Sequence, residues 1–238
     1  MTRFSSSLPV IQQPWVLQLL LVSNVLLWEN VYPMPMCPDM EGYNEMFIED
    51  LFDHAIVTAH YTSNLTMQMS EEFISTSFPY GMHFAHSLGY KSRNSSTCHT
   101  ISLTTPGSNE QIQQTHSDVL LKMMISILRA WYHPLEHLVH AVATLEGICE
   151  TMLFKVKEVE EKNQEILEKI KAILVRVYPG AEENVYPVWM GLADVRSANE
   201  LTRHFTLSNL LHCLDSNTDK VATYLEALKC RIIHNNDC

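Results

Sequence analysis

Apolar residues recur every three to four positions in four separate stretches of the chain, the spacing that lines one face of an α-helix. The first stretch carries Ile48, Leu51, Phe52, Ala55, Ile56 and Ala59 and continues weakly through Leu65 and Met69. The second carries Leu120, Met123, Met124, Ile127, Leu128 and Trp131, then Leu135 and Leu138 beyond Pro134. Proline lacks an N–H and clashes with the preceding turn, so a kink or break is predicted there. The third runs from Leu145 and Ile148 through Met152, Val156, Ile166, Ile170 and Ile173 to Val177, and Pro179 with Gly180 ends it. Its middle, residues 155–171, is dense in Glu and Lys at helical spacing and reads as a solvated face. The fourth stripe is the cleanest: Leu207, Leu210, Leu211, Leu214, Val221, Leu225, Leu228 and Ile232.

Two long segments without a strong period, residues 73–106 and 179–199, separate the first helix from the second and the third from the fourth. Helices that run alternately up and down are joined by short turns, so connections of this length argue against that order. The pattern predicts an all-α fold, a four-helix up-up-down-down bundle with two long crossover connections.

At the start of the chain Arg3 precedes an apolar stretch, Trp15 to Trp28, that fits the hydrophobic region of a secretory signal peptide. It is too short and too weakly flanked for a membrane span. Glu29-Asn30-Val31-Tyr32 offers no clean small-residue cleavage site, which places the cut loosely between Ser23 and Pro33. Residues 1–31 are therefore read as a leader and 32–238 as one exported domain. No other segment reaches spanning length, so no membrane insertion is expected.

The formal charge is −11, and loss of the leader leaves it unchanged because Arg3 and Glu29 cancel. Phosphates of nucleic acids and anionic membranes would be repelled, which leaves protein partners with basic or mixed faces. Six cysteines in an exported chain can form up to three bridges, and spacing does not choose among the fifteen pairings. Asn64-Leu65-Thr66 and Asn94-Ser95-Ser96 are glycosylation sequons that the secretory route would expose.

One string looks enzyme-like. His133-Pro134-Leu135-Glu136-His137 matches the H-x-x-E-H pattern of inverted zinc peptidases, where two histidines one turn apart hold zinc and the glutamate activates water. His140 adds a third imidazole on that side. Yet Pro134 disturbs the helix that must hold both ligands, and twelve histidines make a chance match easy, so metal binding by His133, His137 and His140 is a weak candidate. No nucleophile elbow, phosphate loop or dinucleotide fingerprint occurs. No cofactor and no catalytic residue are expected.

Five separated blocks carry a resemblance. Cys98-His99-Thr100, Ile127-Leu128-Arg129-Ala130-Trp131, Tyr186-Pro187-Val188-Trp189, Leu210-Leu211-His212-Cys213-Leu214 and the tail from Leu228-Lys229-Cys230 to Cys238 stand in an order that resembles the prolactin, growth hormone and placental lactogen family. The resemblance covers essentially everything after residue 36. It implies a long-chain cytokine type of bundle, secretion, and bridges Cys98–Cys213 and Cys230–Cys238. Cys37 and Cys149 stay unassigned: they join each other, or one is free or links two chains into a covalent dimer of an otherwise monomeric protein.

The resemblance also implies a hormone that binds a single-pass cytokine-class receptor, the prolactin receptor or a relative. Ile56 and His60 on the first helix, with His212, Lys220 and Tyr224 on the last, keep the residue types of a first receptor face. Prolactins generally carry a second histidine where this chain has Ser63, a basic pair where it has Asp215 and Ser216, and a histidine where it has Asp219. A second receptor face in the family needs a glycine on helix three, and Lys169 stands there. These departures point to a placental, non-lactogenic relative, with a receptor antagonist or non-signalling binding protein of the same fold as the alternative and a zinc peptidase through His133, Glu136 and His137 as a remote one.

Overall fold

Each apolar stripe becomes a long helical rod in a computed structural model that describes residues 40–76, 98–144 and 150–238. In chain order the elements are α1 (Met40–Thr76), a 3-10 turn (His99–Ser102), α2 (Asn109–Gln114), α3 (Ser117–Ala130), α4 (Tyr132–Ala143), α5 (Glu150–Val177), α6 (Leu192–Val195) and α7 (Glu200–Ile232). The leader assigned to residues 1–31, Cys37, Asn94 and Cys149 lie outside the described residues.

Side-chain bonds between rods fix their directions. Along α1 and α7 the pairs are Asp53 with Lys229 at 2.5 Å, His60 with Glu226 at 2.7 Å and Thr66 with Thr218 at 2.9 Å. One number rises while the other falls, so the two helices are antiparallel. Tyr61 donates to Glu158 at 2.7 Å and Lys155 to Glu72 at 2.8 Å, which makes α5 antiparallel to α1 as well. Arg231, at the end of α7, donates to the Thr115 carbonyl and to Ser117 at the start of α3. The rod formed by α3 and α4 therefore also opposes α7. Two rods point up and then two point down, as expected from the long crossovers.

Phe52, Leu120, Leu135, Met152, Ile170 and Leu225, drawn from every rod, are fully buried in one continuous core. Full burial of such a side chain contributes about 1.5–3 kcal/mol relative to exposure.

Local chemistry sets the ends. Asn199 caps α7 by accepting from the Thr202 amide at 3.1 Å, and Ser108 caps α2 through the Gln111 amide at 3.3 Å. Gly180, at φ +82°, takes the left-handed conformation that ends the chain's helical course after Val177. In the tail Asn235 and Asn236 adopt φ of 50° and 67°, a region asparagine tolerates. They turn the chain back so that Cys238 meets Cys230, with Cα atoms 5.9 Å apart. Cys98 is bridged to Cys213, Cα atoms 5.6 Å apart, tying the first crossover to the middle of α7. By the chain-entropy model a loop of this length stabilises by about 4–5 kcal/mol.

Three expectations need correction. Helix α1 runs on to Thr76, with Phe73 only 3% exposed, so the first crossover begins later than residue 73. The break in the second rod falls at Trp131 rather than at Pro134, because the carbonyl a proline fails to reach lies four residues before it. The charged middle of α5 is not merely solvated, since Lys155 and Glu158 both bind α1.

Candidate functional site

The outward face of α1 is set by helical spacing. Asp53, Val57, His60, Asn64 and Met67 stand three or four residues apart and all are exposed, as side chains on one face must be. Opposite them on α7, His212, Ser216, Asp219, Thr223 and Glu226 follow the same spacing and are half-buried or exposed. His60 Nε2 meets Glu226 at 2.7 Å with both side chains about half exposed, 52% and 55%. Such a surface pair adds about 0–1 kcal/mol to stability, which leaves both groups available to a partner. Ile56 is half-buried beside this stripe.

A second stripe of α7 holds the first crossover. Cys213 is bridged to Cys98, Asn217 Nδ2 donates to Thr100 Oγ1 at 3.0 Å, Lys220 Nζ donates to Thr105 Oγ1 at 3.2 Å and Tyr224 Oη donates to the Pro106 carbonyl at 2.6 Å. Arg231 completes the series by donating to the Ile112 carbonyl at 3.0 Å. The candidates drawn from the resemblance thus divide between two stripes. His60 and His212 belong to the outward face, and Lys220 is half-buried under the crossover. Tyr224 is 1% exposed, so it supports the crossover from beneath and presents almost no surface of its own. Burial pushes its phenol above the ordinary range.

Electrostatics on the outward face are mostly acidic. Asp219 and Glu226 are exposed, and half-buried Asp215 accepts from Thr66 Oγ1 at 3.4 Å. Burial raises the Asp215 carboxyl above its usual range, while Thr66 and His212 pull it the other way. Ser63, where the family pattern has a histidine, is half-buried on α1.

Lys169 on α5 is bound to Glu165, its side chain only 18% exposed. Lys162 holds the other oxygen of Glu165 at 2.9 Å, and Thr58 of α1 donates to Glu165 at 3.4 Å. Lys162 first, then Lys169, hold the Glu165 carboxyl down to about 2. Lys169 is therefore part of a charged network beside α1 rather than a free surface lysine.

The enzyme-like string lies on α4 and comes apart there. His133 is exposed, 3.7 Å from Glu136, whereas the His137 ring packs against Trp189 with ring centres 5.7 Å apart. His137 and His140 share a cavity with Arg196 and Arg203, two cations that oppose a metal ion. Among the described residues no group of three or more His, Cys, Asp or Glu side chains is placed to hold a metal. No helix among them is long and apolar enough to cross a membrane.

Glu226, which pairs with His60, and the crossover anchors Asn217 and Arg231 escaped the sequence reading. Helical spacing from His212 would have found Glu226, since 212, 216, 219, 223 and 226 trace one face. The model of the somatotropin hormone family matches residues 20–238. Its members are signalling hormones and not enzymes. The chain belongs to the somatotropin hormone family.

Proposed function

We propose that this hormone is secreted, glycosylated and placental, and that it engages a single-pass cytokine-class receptor, the prolactin receptor or a relative, through the outward stripes of α1 and α7. The observation that carries this reading is the antiparallel apposition of His60 with Glu226, which sets the exposed residues of both helices side by side. Helix faces of this kind bind through a few anchors surrounded by near-neutral contacts. His60 and His212 are the anchors, Ile56 adds apolar area at the edge, and Lys220 and Tyr224 act by holding the crossover in place. Asp215, Ser216 and Asp219 replace groups that carry positive charge or gain it on protonation in prolactins, which favours a receptor preference shifted away from lactogenic targets.

A second reading rests on Lys169. Docking another receptor there would bury the Lys162–Glu165–Lys169 network, and desolvating charges is costly unless they are fully paired. The hormone would then occupy one receptor without bringing two together, and so act as an antagonist or a non-signalling binder.

Capture of cell-surface proteins by the secreted chain tests both readings. A cytokine-class receptor is expected on the beads, with capture weakened about tenfold or more by His60→Ala combined with His212→Ala, the range of a hot-spot pair. Receptor capture indifferent to both changes rules out this face. Signalling through the receptor-attached kinase that rises on Lys169→Gly supports the single-receptor reading; unchanged signalling removes it.

A further inference from the structure

A cavity of about 280 Å³ lies between α4, the turn after α6 and the first turn of α7, with His137, His140, Thr144, Arg196 and Arg203 among its lining residues. Among the described residues no carboxylate lines it, although the chain as a whole carries a formal charge of −11. Its volume is far above the roughly 10–15 Å³ that one water needs. His140, Thr144 and Arg196 are exposed, so the cavity opens to solvent.

Two of its polar nitrogens are stranded. Arg203 Nε and His137 Nδ1 are buried and, among the described residues, have no hydrogen-bond partner. A buried polar group left unpaired costs about 1–3 kcal/mol, more when charged, and native proteins commonly satisfy such groups with a bound ion or water. Among the described residues no carboxylate pairs with either arginine. Glu200, one turn before Arg203, lies 3.9 Å from His204 instead, and Asp194, two residues before Arg196, lines a separate cavity beside Cys98.

Two guanidinium groups exclude a cation but suit a tetrahedral oxyanion, because their planar fork of N–H donors matches phosphate and sulfate oxygens. Water alone would fill the volume without neutralising two neighbouring positive charges. We infer that this cavity binds a phosphate- or sulfate-type oxyanion, held by Arg196 and Arg203 and oriented by His137. The anion enters either free or as an ester group on a larger molecule.

The Trp189 ring, packed on His137, supplies a fluorescence reporter. The purified secreted chain is titrated with inorganic phosphate, inorganic sulfate, a sulfated disaccharide and a sugar phosphate, each at constant ionic strength against chloride. Saturable one-to-one binding that chloride does not reproduce is expected. Arg203→Gln should weaken it about tenfold, the strength of a charge-assisted bidentate contact, and Arg196→Gln likewise from an exposed position that leaves folding intact. Lys157→Gln, removing the same charge from an exposed site on α5, should leave binding unchanged. Tighter binding of the esters than of the inorganic ions assigns the source to a glycan or phosphorylated partner; equal binding assigns it to the free ion. A chloride titration equal to phosphate and sulfate, or a loss with Lys157→Gln as large as with Arg203→Gln, overturns the site, as does zinc binding with the oxyanions inert.

Discussion

His99 Nε2 lies 3.1 Å from the carbonyl oxygen of Ala130, the acceptor that Pro134, having no N–H, leaves open four residues upstream. The imidazole donates there, and its edge rests on the Trp131 ring with centres 4.7 Å apart. Two residues earlier, Asn163 of α5 donates to the Leu128 carbonyl at 3.0 Å. The break between α3 and α4 is thus filled by two side chains from other elements. Cys98-His99-Thr100 and Trp131-x-x-Pro134, far apart in the chain, form one clamp between the first crossover and the second rod. His99→Ala leaves the Ala130 carbonyl buried and unpaired, a loss of about 1–3 kcal/mol. Urea unfolding with the Cys98–Cys213 bridge intact measures it, and a midpoint equal to that of the native chain counts against the clamp.

The same burial makes the fold sensitive to mild acid. Desolvation pulls His99 below its ordinary value of 6.5, against the opposing effect of its bond to Ala130, and desolvation likewise pulls His204 down. Where pH lies between the depressed folded values and 6.5, the unfolded chain binds more protons, so stability rises with pH. The contribution is complete above about 6.5 and is lost as pH falls through the folded values. Asp215 acts with the opposite sign, because burial raises its carboxyl, but its window lies upward from the ordinary carboxylate value of 3.8. The urea midpoint should fall between about pH 7.5 and pH 5.5, and His99→Gln with His204→Gln should flatten that fall. A native midpoint that holds constant across this interval contradicts the assignment.

Much of the fold could be read from periodicity, because Leu207, Leu211, Leu214, Leu225 and their equivalents bury a continuous face whatever their partners are. The direction of the rods followed from crossover length alone. The small elements could not be read this way. The four residues of α6 bury Val195, a single apolar side chain that sets no period, and α2 buries Ile112 in the same manner. The candidate face was legible only in part, for residue type does not report rotation about the helix axis. Lys220 and Tyr224 have the chemistry of receptor contacts, yet they sit four residues apart on the stripe with Cys213 and Asn217 that faces the crossover.

That rotation separates stability from recognition. Tyr224→Phe removes the donor to the Pro106 carbonyl and should cost about 0.5–1.5 kcal/mol, the net worth of one hydrogen bond. His60→Ala breaks only an exposed pair and should change stability by less than about 0.5 kcal/mol. Thermal unfolding of the two variants, set beside receptor capture, distinguishes them: Tyr224→Phe lowers the melting temperature, and His60→Ala lowers capture without doing so. The reverse pattern would place the anchor under the crossover.

Asn64 stands at the centre of the outward stripe of α1, four residues after His60 and three before Met67, and it is exposed. Its Oδ1 accepts from Gln68 Nε2 at 2.9 Å, a bond to an exposed side chain one turn on that a glycan would displace at small cost. Asn64-Leu65-Thr66 is a sequon, and Thr66 is buried against Thr218, so the hydroxyl that completes the motif is turned into the bundle once the chain has folded. Glycosylation at Asn64 would then have to precede folding of α1, and the attached sugar would cover the space beside His60. Asn64→Gln should remove one glycan's mass from the secreted protein and strengthen receptor capture, while Thr66→Ala should remove the same glycan but also lose stability through Thr218. Receptor capture that weakens on Asn64→Gln, with the mass shift present, would mean that the sugar itself is part of the recognised surface.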